Sequence, residues 1–190
     1  RGLGDVYKRQ LASNPSNAVT LATVPGAPTG ISAKGGNEEA DVSWTAPVSD
    51  GGSVISQYTV TSSPDGITAT TSGTSVTVTG LTNGTSYTFA VTATNSVGTG
   101  SASGASNAVV PATVPGSPTA VSAVGGNAQA TVSWTAPTFN GGAAITQYTV
   151  TSSPGNLTAT TTGVSATVTG LTNGTQYRFE VTATNSEGNS

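Results

Sequence analysis

Residues 24–100 align with residues 114–190 without a gap, and 52 of the 77 positions are identical. The longest shared blocks are VSWTAP (42–47 and 132–137), QYTVTSSP (57–64 and 147–154), TVTGLTNGT (77–85 and 167–175) and VTATNS (91–96 and 181–186). The same offset of 90 extends upstream, where Ser16-Asn17-Ala18-Val19 matches Ser106-Asn107-Ala108-Val109 and Ala22-Thr23 matches Ala112-Thr113. A period of this length is a whole small domain and too long for a solenoid unit, so each copy must own a core. The expected divisions follow. Residues 11–23 are the last strand of a preceding repeat and its linker. Residues 24–113 form a complete domain, and residues 114–190 a second one lacking the equivalent of 101–113, its final strand. The chain reads as a window on a longer tandem array.

Residues 1–10, RGLGDVYKRQ, break this pattern. They carry three of the five basic residues and resemble the in-frame translation of a sequencing-library adapter, so they are expected to be non-native and are set aside. Beyond them only Lys34 and Arg178 are basic, against seven acids, which gives a net charge of 2 − 7 = −5.

Within one repeat the apolar period is two, with Gly, Pro and Asn clusters every ~8–12 residues, the spacing of an all-β sandwich or barrel. Strands are predicted near Thr29–Ala33, Ala40–Thr45, Val54–Ser62, Ile67–Thr71, Ser75–Thr79, Tyr87–Thr94 and Ala105–Ala112, seven in all. Pro47 ends the second, because proline has no N–H for a ladder. Pro64-Asp65-Gly66 is a turn. Ala40, Val42 and Trp44 share one face of the second strand, and Tyr87, Phe89, Val91 and Ala93 one face of the sixth. The 36 Thr and 24 Ser fill the opposite faces, where a β-branched carbon suits the pleat and a hydroxyl keeps the surface wet without charge. The edge strands thus lack the charges that usually discourage edge-to-edge pairing.

What is missing narrows the function. There is no Cys, His or Met, and 7% of residues are charged. No usual zinc, haem or iron–sulfur site, disulfide, or Cys- or His-based nucleophile pair can be assembled, and no cofactor is expected. Five basic residues do not make a nucleic-acid surface. No apolar run reaches the ~20 residues of a membrane span.

With these residues in view, the chain resembles tandem fibronectin type III domains. The marks are a Pro-rich start (VPGAP), a Trp on the second strand (Trp44, Trp134) and a Tyr on the third (Tyr58, Tyr148). To these are added a Leu six residues before a Tyr (Leu81/Tyr87, Leu171/Tyr177), the Y-x-F-x-V-x-A alternation and an Asn at that strand's end. The resemblance implies tandem immunoglobulin-like seven-stranded β-sandwiches without disulfides, the second ending before its last strand. It also implies a tyrosine corner in which the phenol bonds back to backbone above the Leu. The structural core is then Trp44, Tyr58, Leu81, Tyr87, Trp134, Tyr148, Leu171 and Tyr177.

Candidate sites were weighed against that framework. The loop that carries an adhesive Arg-Gly-Asp in some members reads Asn95-Ser96-Val97-Gly98-Thr99-Gly100, so integrin binding is not carried over. Glu38, Glu39 and Asp41 cluster as a glycosidase pair would, but their partners in the second copy are Ala128, Gln129 and Thr131. All nine charged residues beyond the first ten meet an uncharged partner in the other repeat, so no function common to both copies depends on charge. Asp50, in Ser49-Asp50-Gly51-Gly52, is one carboxylate where calcium needs about six to eight oxygens; it reads as a turn. Phe139 replaces Ser49 in the second copy and is either a ligand-stacking aromatic or, the preferred reading, an inter-domain or loop contact. Asn83, Asn156 and Asn173 open glycosylation sequons.

The expected function is non-catalytic: a spacer or adhesion-type repeat of a larger secreted or cell-surface protein, with its neighbouring repeats, other proteins or surface glycans as partners. The alternative is an accessory carbohydrate-binding module of an extracellular polysaccharide-degrading enzyme. The seam Val110-Pro111-Ala112-Thr113-Val114-Pro115 is expected to be short and stiff. The missing last strand of the second copy also predicts an open edge on its sixth strand, to which residues 15–23 of another chain could add.

Overall fold

The computed structural model describes residues 14, 17–19 and 21–190. The adapter-like segment, and residues 11–13, 15, 16 and 20 of the strand and linker expected within 11–23, lie outside the described residues. Residues 21–23 are irregular. Among the described residues there is no helix, and every strand pairing is antiparallel.

The first repeat contains β1 (Thr29–Gly35), β2 (Glu39–Thr45), β3 (Gln57–Ser63), β4 (Thr68–Thr71), β5 (Ser75–Thr79) and β6 (Thr88–Thr94). One sheet has the order β1-β2-β5 and the other β4-β3-β6. The second repeat follows the same plan with β7 (Thr119–Gly126), β8 (Gln129–Thr135), β9 (Gln147–Ser153), β10 (Thr158–Thr161), β11 (Ser165–Thr169) and β12 (Arg178–Asn185). It adds a two-residue β13 (Gly188–Asn189) beside β12. Alternation decides which side each residue faces, and the two apolar faces meet. In the first core Ala40, Val42, Trp44 and Val78 pack against Tyr58, Val60, Phe89, Val91 and Ala93. Trp44 lies 5.4 Å from Tyr58 between ring centroids at 58°, and Trp134 from Tyr148 at the same distance and 55°. Each indole Nε1–H is buried without a protein acceptor, so packing alone holds the rings.

The seventh strand differs from the sequence expectation. Residues 99–109 run beside β6, touching it as isolated bridges at Thr94–Thr99 and Tyr87–Val109 instead of a ladder. Serine hydroxyls fill the gap. Ser103 donates its N–H to the Val91 carbonyl and its Oγ accepts the Val91 N–H at 2.9 Å; Ser106 does the same with Phe89, at 2.9 and 3.0 Å. Val91 and Phe89 are two residues apart and the serines three, and that extra residue prevents a regular strand. Asn107 then reaches the other sheet. Its Oδ1 accepts the Ala33 N–H and its Nδ2 donates to the Ala33 carbonyl, both at 2.9 Å, which occupies the outer edge of β1. A side-chain amide does here what charged residues usually do at an exposed edge.

In the second repeat several residues equivalent to buried ones of the first are more open. Phe89 and Tyr87 are fully buried, whereas Phe179 and Tyr177 are half-buried; Ala33 is buried and Ala123 exposed.

Candidate functional site: the seam between repeats

The chain enters and leaves the first repeat at opposite ends of one strand. β2 begins next to the turn Gly35-Gly36-Asn37, where the chain exits, and ends before the turn Asp50-Gly51-Gly52, where it enters. Seven residues at about 3.3 Å each separate the two ends by about 20 Å.

At the exit end Ala112 N–H bonds the Gly36 carbonyl at 3.0 Å, and Gly84 N–H bonds the Pro111 carbonyl at 2.9 Å. The very next residue belongs to the second repeat: Thr113 N–H bonds the Gly141 carbonyl at 2.8 Å. Pro111 is fully buried in this seam. The anchors to the two repeats fall on successive residues, Ala112 and Thr113. The linker thus has none of the slack of a Gly/Ser tether.

The second anchor is a buried asparagine. Asn185 donates from Nδ2 to the carbonyls of Thr113 and Asn140 at 2.8 and 2.9 Å, while its Oδ1 accepts Glu187 N–H at 2.8 Å. Asn95 repeats this in the first copy, donating to Thr23 and Asp50 and accepting from Val97 and Gly98. Both asparagines are about 95% buried, and their bonds offset the cost of hiding an amide. Gly141, at φ +79°, has room for no side chain, because a Cβ there would strike the Thr113 carbonyl oxygen.

The remaining candidates take ordinary places. Asp50 Oδ1 accepts Gly52 N–H at 2.8 Å, and Asn140 Oδ1 accepts Gly142 N–H at 3.0 Å. Either carbonyl-type oxygen caps the turn, which explains the exchange of Asp for Asn. Asp41 accepts the Thr77 hydroxyl, and Glu38 occupies a turn at φ 57°. Among the described residues no three acids gather as a metal site would require. Asn95 closes the 95–100 loop, since Asn95 N–H bonds the Gly98 carbonyl. Asn83 and Asn173 spend their amides on the neighbouring hairpin: Oδ1 accepts Glu38 or Ala128 N–H, and Nδ2 donates to Asn37 or Asn127. Asn156 is exposed in a turn. Phe139 is 49% exposed, and its carbonyl accepts Gly116 N–H at the start of the second repeat.

The eight core residues are placed as follows. Trp44, Tyr58, Leu81, Tyr87, Trp134, Tyr148 and Leu171 are buried, and Tyr177 is half-buried. Thr82 N–H donates to the Tyr87 phenol oxygen at 3.1 Å, as Thr172 N–H does to Tyr177. The Tyr87 hydroxyl in turn donates a hydrogen bond to Asp65 Oδ2 at 2.8 Å, a bond with no counterpart at Gly155. The sequence marks Asn95 and Asn185 only as residues at a strand's end and Asn83 only as the start of a glycosylation sequon, and it assigns Ser103, Ser106 and Asn107 no role. The signal was there for Asn83 and Asn95, which sit inside the longest blocks shared by the two copies.

The fibronectin type III domain profile matches residues 26–109 and 114–190. The chain belongs to the fibronectin type III domain family. These repeats are similar to chitinase A1 of Niallia circulans, 37% identical over 187 residues, which covers 92% of this chain and 25% of that protein. They are also similar to exoglucanase B of Cellulomonas fimi, 36% identical over 176 residues, covering 88% of this chain and 16% of that protein. The chain spans a quarter or less of the curated relatives it matches. Among solved structures, the chicken CNTN1 FN1–FN3 domains align over 87% of this chain and 63% of theirs, with 25% identity and a TM-score of 0.45. The pair of fibronectin type III repeats is a non-catalytic module, a small share of each relative it resembles. No helix among the described residues is long and apolar enough to cross a membrane.

Proposed function

We propose that these fibronectin type III repeats are a spacer that holds other domains of a larger extracellular protein at a set distance. The observation carrying this reading is the anchored linker: Ala112 is bonded to one repeat and Thr113 to the next, with entry and exit at opposite ends of the first sandwich. Each repeat therefore adds a fixed increment instead of a variable one. The chitinase and glucanase relatives support a polysaccharide-degrading parent as the setting. Small-angle X-ray scattering of the chain tests it. A span of two domains placed end to end is the expected result; a compact, side-by-side pair would refute the spacer.

Phe139 supports a second reading, weak contact with a polysaccharide. It is the only exposed aromatic among the described residues, and stacking on a sugar face needs one. Pull-down on insoluble chitin and cellulose, with Phe139→Ala as control, separates the two. Binding lost in the variant favours the carbohydrate module, and no binding by either chain favours the spacer alone.

A further inference from the structure

Beyond the linker, the two repeats meet directly through glycines. Gly142, in the entry-end turn of the second repeat, packs on Asn83-Gly84, in the exit-end turn of the first. A Cβ on Gly84 would lie 3.2 Å from Gly142 Cα, and a Cβ on Gly142 would fall 2.5 Å from Gly84 N and 2.8 Å from the Asn83 carbonyl carbon. Both glycines have left-handed backbone, at φ +86° and +85°. Two main chains can approach this closely only where neither carries a side chain.

Each half is also held in shape from behind. Asn140 Oδ1 caps Gly142 N–H on one side. On the other, Asn83 is fixed by Glu38 N–H and Asn37 Oδ1, and Gly84 N–H bonds Pro111. The same receiving half recurs in the second repeat. Asn173 makes the equivalent bonds to Ala128 and Asn127 at the same 2.9 and 2.8 Å, and Gly174 has φ +83° with nothing within 4 Å of a Cβ. That turn keeps the same glycine conformation and the same asparagine bonds where no other described repeat sits on it. The entry half recurs too, at Gly51-Gly52 with Asp50 as cap.

We propose that the Asn-Gly turn at the exit end of each repeat is a docking surface for the Gly-Gly turn at the entry end of another repeat of this same kind. The linker fixes how far apart successive repeats lie. This contact fixes their twist, and being heterologous it can propagate from one repeat to the next. The inference rests on the spacer reading and adds an orientation to it.

The chain has no cysteine, so spin labels can be placed at Thr70→Cys and Thr160→Cys, equivalent exposed positions on β4 and β10. Pulsed electron–electron distance measurement should give one narrow peak in the otherwise unaltered chain. Gly142→Val should lose that peak to a broad distribution. Gly52→Val should keep it: it imposes the same left-handed strain, at φ +78°, but its nearest atom is the Leu21 carbonyl oxygen and not another described repeat. A broad distribution in the parent chain, an unchanged peak in Gly142→Val, or equal broadening in both variants would each overturn the proposal. Should Gly142→Val fail to fold, ¹⁵N relaxation of the unaltered chain decides the matter. One shared diffusion tensor for both repeats supports docking, and independent tumbling removes it. The mean distance reports separately on the spacer: long but broad sinks the docking surface and spares the spacer, whereas short and narrow sinks the spacer.

Discussion

The Asn185 amide nitrogen donates to the Thr113 carbonyl at 2.8 Å, joining the last long strand of the second repeat to the residue through which the chain enters that repeat. Asn95 and Thr23 make the same pair at 2.7 Å one repeat earlier. The bond lets a strand inside the sandwich dictate where the incoming linker lies.

Asn185→Ala should therefore destabilise the second repeat by about 1–3 kcal/mol, the cost of leaving the carbonyls of Thr113 and Asn140 without their donor in a buried site. Asn185→Asp should be worse, because it sets an acceptor against two carbonyls. Chemical denaturation checks both; a midpoint for Asp above that for Ala would contradict the assigned amide orientation.

Trp44→Ala should cost about 3–5 kcal/mol, as large aromatic deletions in cores do. That is a large share of the ~5–15 kcal/mol stability of an ordinary domain. The indole is 6% exposed and makes no hydrogen bond, so the loss is one of packing. Urea unfolding followed by the remaining Trp134 and by circular dichroism would resolve the two repeats.

Tyr87→Phe should destabilise its repeat more than Tyr177→Phe does. The first loses the Thr82 N–H and the charged Asp65 acceptor from a fully buried phenol, the second only the Thr172 N–H from a half-buried one. A difference of about 1 kcal/mol is the expected scale for a bond to a charged group. Asp65→Gly, which makes the first copy like the second, should remove most of that difference in thermal melts.

Asp50→Asn should leave stability within about 0.5 kcal/mol of the parent, since either residue caps Gly52 N–H and the site is on the surface. Calcium titration monitored by calorimetry should show no heat specific to Asp50.

Burial raises the Tyr58 phenol above its ordinary value of 10.0. The folded state then holds that proton more tightly than the unfolded chain does. Its contribution is intact below pH 10 and is lost as pH rises through the folded value. Stability measured across that range should fall, and Tyr58→Phe should flatten the part of the slope due to this group.

Much of the fold was legible from residue order alone. The ninety-residue repeat announced two domains, and alternation in 39–45 and 88–94 assigned the inward faces because a pleated strand leaves no other choice. The seventh strand differs for an equally physical reason. Residues 105–112, the expected strand, hold enough Ala and Val to suit one, but Ser103, Ser106 and Asn107 bond through side chains, and nothing in a local pattern distinguishes a serine that faces water from one that replaces a ladder bond.

The sequence by itself determined that the chain is an all-β tandem array with an indole in each core and no recurring charged chemistry, since periodicity and composition are local properties. Only the tertiary structure decided what holds one repeat to the next. Asn185 and Thr113 are 72 residues apart, as are Asn95 and Thr23, and Gly84 and Gly142 belong to different domains. The asparagine contacts exist only after a sandwich has closed, and the glycine contact only after two of them have brought the entry turn of one against the exit turn of the other.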